Sequence, residues 1–584
     1  MKLTTKFFFG AMALTLVACS NEIPGVDEPS VDMTGKTAYM KINITSVGDL
    51  TRATEDKGFA YDNEKADEHA VHDAQFFFFD DNGLFVTKAT VWTGGKDNPS
   101  EGQNVEYMGN NVIVLKNLTS TPLRYMLTVL NLPDFQPSNT IEATATQLQN
   151  YYNNIGGTNY HVMSTSSYFG TNAHHSNKYP YATFISTEDY RVQPADADFT
   201  ADDLDKVVDV YVERLAAKVQ VELADDFTSG NQPVTLDDGT VLYPIRASVS
   251  GYNNGTLDDV EDDDTGAEML YVKFTGWGLN SVLPASTLFK QLNSNWIEYP
   301  PFNGWNDEKN YRSYWTQTPY YGRDPNEWLS YICFKDANTQ IGDKKVKSGT
   351  NYCNGNTNTT DQIFVNQSLI PSKVTNVLVA AQICNKWGEG LDLIRATSGE
   401  MYTKQSYINY IFSIVNPQIF TKDDDGQGRT QITPADLELD WELIGKTLRI
   451  AVKGVKSDKT FYDKNDQEIQ NPVDYISGAF NNTQSDFEPE AYNGGAMYYS
   501  IPIEHMAAVN AGEDVKPYLT TGYYGVVRNF WYIITLNNLT RFGHGVFDPE
   551  NEQIIPESPD DQNYLLGAKI NILSWKVLNQ SVNM

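Results

Sequence analysis

Val208-Asp209-Val210-Tyr211-Val212-Glu213-Arg214-Leu215-Ala216-Ala217-Lys218-Val219-Gln220-Val221-Glu222-Leu223 alternates apolar and polar side chains almost without interruption. Val208, Val210 and Val212 fall on one side, and Asp209, Tyr211 and Glu213 on the other. That period of two places successive side chains on opposite faces of a β-strand. The phase then slips, and Leu215, Ala217, Val219, Val221 and Leu223 carry the apolar series on. One extra residue near Glu213-Arg214, a β-bulge, accounts for the slip.

The same period recurs on either side of this stretch. Ala38, Met40, Ile42 and Ile44 oppose Tyr39, Lys41, Asn43 and Thr45. Gln75-Phe76-Phe77-Phe78-Phe79 runs into the turn residues Asp80-Asp81-Asn82-Gly83, and Leu84-Phe85-Val86 returns, which predicts a hairpin. Residues 125–132 form a near-continuous apolar run that ends at Pro133. Helical spacing is confined to residues 140–152 and 397–414. Many short strands separated by loops rich in Asn, Gly and Asp predict an all-β chain of sandwiches with few short helices. At 584 residues the chain exceeds the roughly 250–300 at which single cores stop growing, so two domains are expected. The boundary is placed in residues 227–233, where Asp225-Asp226-Phe227-Thr228-Ser229-Gly230 follows the long strand. The domains are then 37–230 and 231–584.

The formal charge is −32, from 75 acidic against 43 basic side chains. Such a chain repels phosphate backbones, which argues against nucleic acid as a partner. Residues 1–18 read as a signal peptide. Lys2 and Lys6 supply the positive start, and the apolar stretch 7–18 is too short to span a bilayer. Leu16-Val17-Ala18-Cys19 resembles a lipobox, so Cys19 is the expected lipidation site and residues 19–36 a polar tether. Cys333, Cys353 and Cys384 form no CxxC pair, which argues against zinc. One disulfide among them, with Cys333 and Cys353 nearest in sequence, and three ordinary thiols are both compatible with the spacing.

No catalytic motif stands out, and no enzyme activity, cofactor or metal is expected. The acidic runs at 258–264 and 423–425 lack calcium-loop spacing. His69, His72, His174 and His175 have no evident third ligand. The aromatic-dense segment 299–331 suits a covered core better than a sugar-stacking surface.

Several stretches resemble the major fimbrial subunits of Bacteroidetes, the FimA- and Mfa1-like fimbrillins. They are Val212-Glu213-Arg214-Leu215-Ala216-Ala217-Lys218-Val219, the hairpin 76–85, Val129-Leu130-Asn131-Leu132-Pro133, and residues 160–168 and 311–315. Tyr499-Ser500-Ile501-Pro502-Ile503-Glu504-His505, Tyr524-Gly525-Val526-Val527-Arg528-Asn529 and the terminal segment 568–584 complete the set. The resemblance implies two transthyretin-like β-sandwich domains in tandem and a cell-surface fimbria at the outer membrane. It further implies a homo-polymer with accessory fimbrial subunits, assembled by donor-strand exchange. No host or bacterial surface ligand is indicated.

Both ends of the chain fit that assembly. Arg52 is the only arginine before Arg124 and sits in a polar loop. An arginine-specific protease would therefore cut Arg52-Ala53 and free the strand bearing Ala38, Met40, Ile42 and Ile44. At the other end Leu578, Val582 and Met584 share one face of a candidate donor strand. Adding a strand to an uncovered edge is a common recognition mode. Two other readings belong to different classes. One is a fimbrial tip adhesin or surface glycan-binding lipoprotein. The other is a glycan hydrolase, which needs a paired-carboxylate cleft.

Overall fold

The computed structural model describes residues 37–46, 73–92, 105–107, 112–115, 118, 122–132, 134–149, 161–165, 176, 178–179, 181–193, 206–252, 268–289, 329–357, 360–422, 428–445, 447–456, 459–505, 516–519, 522–556, 567–574 and 577–578. These form an all-β chain with open sheets and few helices.

The hairpin lies where the sequence places it. Strands Asp73–Phe79 and Phe85–Trp92 pair antiparallel. Asp80 builds the turn: its Oδ1 accepts the backbone N–H groups of Asn82 at 2.9 Å and Leu84 at 2.8 Å. Gly83 takes a φ of +78°, which L side chains rarely adopt. The strand Asp73–Phe79 is buried on both faces. Phe76 and Phe78 enter one core with Ala74, while Phe77 and Phe79 enter another with Leu127 and Val129. Because its neighbour Tyr125–Leu130 also lies between these two cores, it reads as an unbroken apolar run.

The first of these cores lies between two groups of strands that share Thr37–Ser46. On one side run Phe85–Trp92, Asp73–Phe79, Tyr125–Leu130, Met163–Thr165 and Val208–Arg214 in that order. On the other run Val112–Leu115 and Val105–Tyr107. A second sandwich holds the largest core. Its five-stranded sheet runs Thr350–Asn354, Ala216–Thr228, Phe530–Asn538, Gly567–Ser574 and Val577–Leu578. Its six-stranded sheet centres on Glu268–Asn280, Asn376–Cys384 and Ala496–Pro502. Val219, Val221, Tyr532 and Ile534 from the first sheet meet Val272, Trp277, Val379 and Tyr499 from the second.

The phase slip at Glu213-Arg214 is not a bulge. The strand Val208–Arg214 ends in the first sandwich and Ala216–Thr228 begins in the second, with Leu215 at the crossing. A chain that changes partners must turn its apolar face to a new core, and one skipped position does this. Sheet membership therefore changes at Leu215, ahead of the expected boundary at 227–233, which follows the strand Ala216–Thr228.

The helical expectations shorten. The pattern at 140–152 yields only Ile141–Ala145, capped by Thr140, before the chain pairs Leu148–Gln149 with Ser286–Thr287. The pattern at 397–414 yields Lys404–Val415, because Met401–Thr403 is taken up in a hairpin with Leu393–Arg395. A further helix, Pro472–Thr483, was not read in the sequence. It packs with Lys404–Val415 and the ribbon Leu437–Ile444 and Thr447–Val455 in a separate core that includes Tyr407, Ile411, Ile450, Ile476 and Phe480.

Cys333, Cys353 and Cys384 are free thiols. Burial pushes the Cys353 thiol up to about 12 and that of Cys384 to about 11, which makes both poor nucleophiles.

Candidate functional site

The strand Thr37–Ser46 occupies an interior position. Over its first half it is paired on both edges, with Ala38–Lys41 opposite Leu115–Val112 and Thr37–Met40 opposite Gln193–Tyr190. Over its second half Ile42–Ser46 runs parallel to Val208–Val212. Ala38 and Met40 are fully buried and Ile42 is 3% exposed, all three in the core with Leu115, Met126, Met163, Val208 and Val210. Ile44 lies in the same strand, but its side chain is outside the described residues. Withdrawal of this strand would open two hydrogen-bonding edges and uncover an apolar groove along one core. Met and Ile side chains gain about 1.5–3 kcal/mol each on burial, so that groove would favour a replacement strand.

The other end supplies backbone geometry of the opposite kind. Gly567–Ser574 pairs with Phe530–Asn538, and Val577–Leu578 folds back on it at the edge of the five-stranded sheet. Leu578 thus sits in a two-residue edge strand. Val582, Met584, Cys19, Arg52 and Ala53 lie outside the described residues, as do the histidines 69, 72, 174 and 175, both acidic runs and most of segment 299–331. Among the described residues no group of three or more His, Cys, Asp or Glu could hold a metal ion, and no helix is long and apolar enough to cross a membrane.

Two of the quoted motifs meet at the junction of the sandwiches. Asn529, with φ +64°, donates its N–H to the Ala216 carbonyl at 2.8 Å, and its Oδ1 accepts from Arg214 Nη1 at 3.2 Å. Arg528 is 2% exposed. It donates to the Leu288 carbonyl at 3.1 Å, to Ser286 Oγ at 2.7 Å and to the Thr287 carbonyl at 2.8 Å. Ser164, from the first sandwich, donates to the same Leu288 carbonyl at 2.7 Å. Residues 286–289 therefore clasp the strand that borders the groove's neighbour to the sheet that carries the C-terminal hairpin. Sequence spacing could not reveal this clasp, because Arg528 reaches acceptors some 240 residues away. Arg528→Met should lower stability by about 1–3 kcal/mol, since its buried acceptors lose a charged donor while the Leu288 carbonyl keeps Ser164 and the Thr287 carbonyl keeps Ser286. Urea unfolding of the purified protein measures it.

The motif around His505 is structural as well. His505 Nδ1 lies 2.8 Å from the Tyr532 hydroxyl, which also accepts the Val527 N–H at 2.8 Å. Burial raises the neighbouring Glu504 to about 7.

Residues 490–581, which hold His505, Arg528, Asn529 and the C-terminal hairpin, match the family described as major fimbrial subunit protein type IV, fimbrillin, C-terminal. Its C-terminal region thus resembles that of the fimbrillins. No curated protein matches the sequence. Among solved structures, the fimbrillin FimA of Porphyromonas gingivalis is 11% identical, with a TM-score of 0.32 over 94% of this chain and 99% of that one. The tip fimbrial protein Mfa3 of the same organism, with a C-terminal truncation, is 10% identical, with a TM-score of 0.28 over 89% of this chain and 100% of that one. A Bacteroides eggerthii protein described as a putative cell adhesion protein is 10% identical, with a TM-score of 0.32 over 94% of this chain and 97% of that one. The matched region contains Arg528, the donor of the clasp, and the terminal hairpin, while its acceptors at residues 286–288 lie outside it.

Proposed function

We propose that this chain is a fimbrillin, a structural subunit of a cell-surface fimbria, made as a lipoprotein precursor and polymerised by donor-strand exchange. Cys19 carries the lipid that holds the precursor at the outer membrane. An arginine-specific protease cuts between Arg52 and Ala53, and the strand Thr37–Ser46 leaves. The C-terminal segment 578–584 of the next identical subunit then fills the groove. Accessory fimbrial subunits engage the same groove or the same tail at the ends of the filament. The domain division 37–230 and 231–584 is moved in this reading to Leu215, where sheet membership changes. The role is structural and calls for no catalytic residues or cofactor.

The observation that supports this reading most is the interior position of Thr37–Ser46. It is the first strand among the described residues, buried along Ala38, Met40 and Ile42, and Arg52 follows it by six residues in the sequence. A removable strand is useful to assembly only if its departure uncovers a core, and the burial of Ala38, Met40 and Ile42 supports that reading. A synthetic peptide of residues 575–584 tests the exchange. It should bind the arginine-protease-treated protein and fail to bind the uncut precursor, as read by fluorescence anisotropy. Equal binding to both would contradict the groove reading. Anchoring is tested separately: Cys19→Ala should abolish labelling by radioactive palmitate and release the precursor from the membrane fraction. Labelling that persists in that variant would remove Cys19 from the account.

A further inference from the structure

Away from the groove, the second sandwich and the four-stranded sheet that includes Leu393–Arg395 and Met401–Thr403 flank an open surface cavity of about 850 Å³. Arg246 reaches it from the end of Val241–Ala247, Arg395 from Leu393–Arg395, and Arg541 from the segment after Phe530–Asn538. These are three of the chain's twelve arginines, and the one carboxylate in the wall is Glu400. In a chain with a formal charge of −32, two exposed arginines beside a third that is paired with Glu490 run against the bulk charge.

Arg395 is held rigidly. Its Nη1 donates to Glu490 Oε2 at 2.9 Å, and its Nη2 to the carbonyls of Phe542 at 3.4 Å and Gly543 at 3.3 Å. Its guanidinium carbon lies 5.2 Å from the centre of the Tyr492 ring. Arg246 and Arg541 are exposed to solvent at the rim. The rest of the wall mixes hydroxyls (Ser248, Ser250, Thr540, Tyr402) with the apolar surface of Met401 and Phe542. Guanidinium forks match carboxylates, hydroxyls match the hydroxyls of a sugar ring, and an apolar wall covers its C–H face. The volume falls within the range of about 300–1,000 Å³ typical of ligand pockets, well beyond the needs of a single inorganic anion.

We propose that this cavity binds a carboxylated oligosaccharide, a glycan bearing uronate or sialate groups. The inference is independent of the assembly mechanism: the cavity lies outside the groove, and its test reads no polymer. Isothermal titration of the full chain with trigalacturonate and with sialyllactose, against maltotriose and lactose, tests the ligand class. At least one carboxylated glycan should bind, with its neutral counterpart at least about tenfold weaker. Arg246→Gln combined with Arg541→Gln should weaken that binding about tenfold or more in a protein that still unfolds in one cooperative thermal transition. Absence of binding by both carboxylated glycans, equal affinity for the neutral ones, or indifference to the double substitution would overturn the proposal. Tighter binding of a glutamate-rich peptide, or full competition by inorganic phosphate, would likewise overturn it in favour of a protein segment or a simple anion.

Discussion

Arg52→Ala should leave a folded, membrane-held protein that forms no filaments. The physical reason is the contest for the groove. In the uncut chain the strand Thr37–Ser46 is tied covalently to the body it fills. A tethered segment has an effective concentration on the order of millimolar, whereas free donor tails at micromolar subunit concentration offer about a thousandfold less. A donor of equal intrinsic affinity therefore loses by that factor. The buried face of Ala38, Met40 and Ile42 and a ladder paired on both edges add to the incumbent's hold. Cutting after Arg52 leaves the ladder in place but removes the tether, so the strand once lost is diluted away. Filament mass per cell, read by sedimentation and electron microscopy, should fall to background in the variant, with the monomer still in the membrane fraction. Near-normal filaments would show that the strand is no gate.

Deletion of residues 578–584 should also abolish filaments, for the opposite reason. The described part of this tail is small: Leu578 pairs only with Ile572 at the sheet edge. On the proposed donor role its removal should cost the subunit's own fold less than about 1 kcal/mol, because a donated tail stabilises its neighbour and not its own chain. The loss falls on the neighbour, whose groove goes unfilled. Mixing separates the two variants. The tail-less mature subunit keeps an open groove, accepts a wild-type tail and caps the growing end, so added in equal amount it should shorten filaments severalfold. The uncut Arg52→Ala subunit cannot accept a tail and should leave filament length unchanged when mixed in. Filaments of normal length from the tail-less protein alone would end the donor role of 578–584.

Alternation in the sequence was enough to place Thr37–Ser46, the hairpin around Asp80-Gly83 and the long stretch around Leu215, because each buries one face or both against a core. It could not say which sheet a strand joins. A bulge and a change of sheet both shift the apolar phase by one residue, and at Leu215 the chain changes sheet. The helix Pro472–Thr483 escaped because only Ile476 and Phe480 are buried along it, too few to impose a period of 3.6 on its Asn- and Gly-containing surface. Pro472 at its first turn was the available signal. The clasp at Arg528 and the cavity of Arg246, Arg395 and Arg541 depend on contacts across long sequence separations. In the sequence each arginine stands alone.

The removable strand is the centre of the account, and negative-stain electron microscopy of the purified chain before and after arginine-specific proteolysis tests it most directly. The account predicts monomers before the cut and filaments after it, with the N-terminal fragment 19–52 absent from the filaments by mass spectrometry. Filaments from the uncut chain, or only monomers once cleavage at Arg52 is complete, would contradict it.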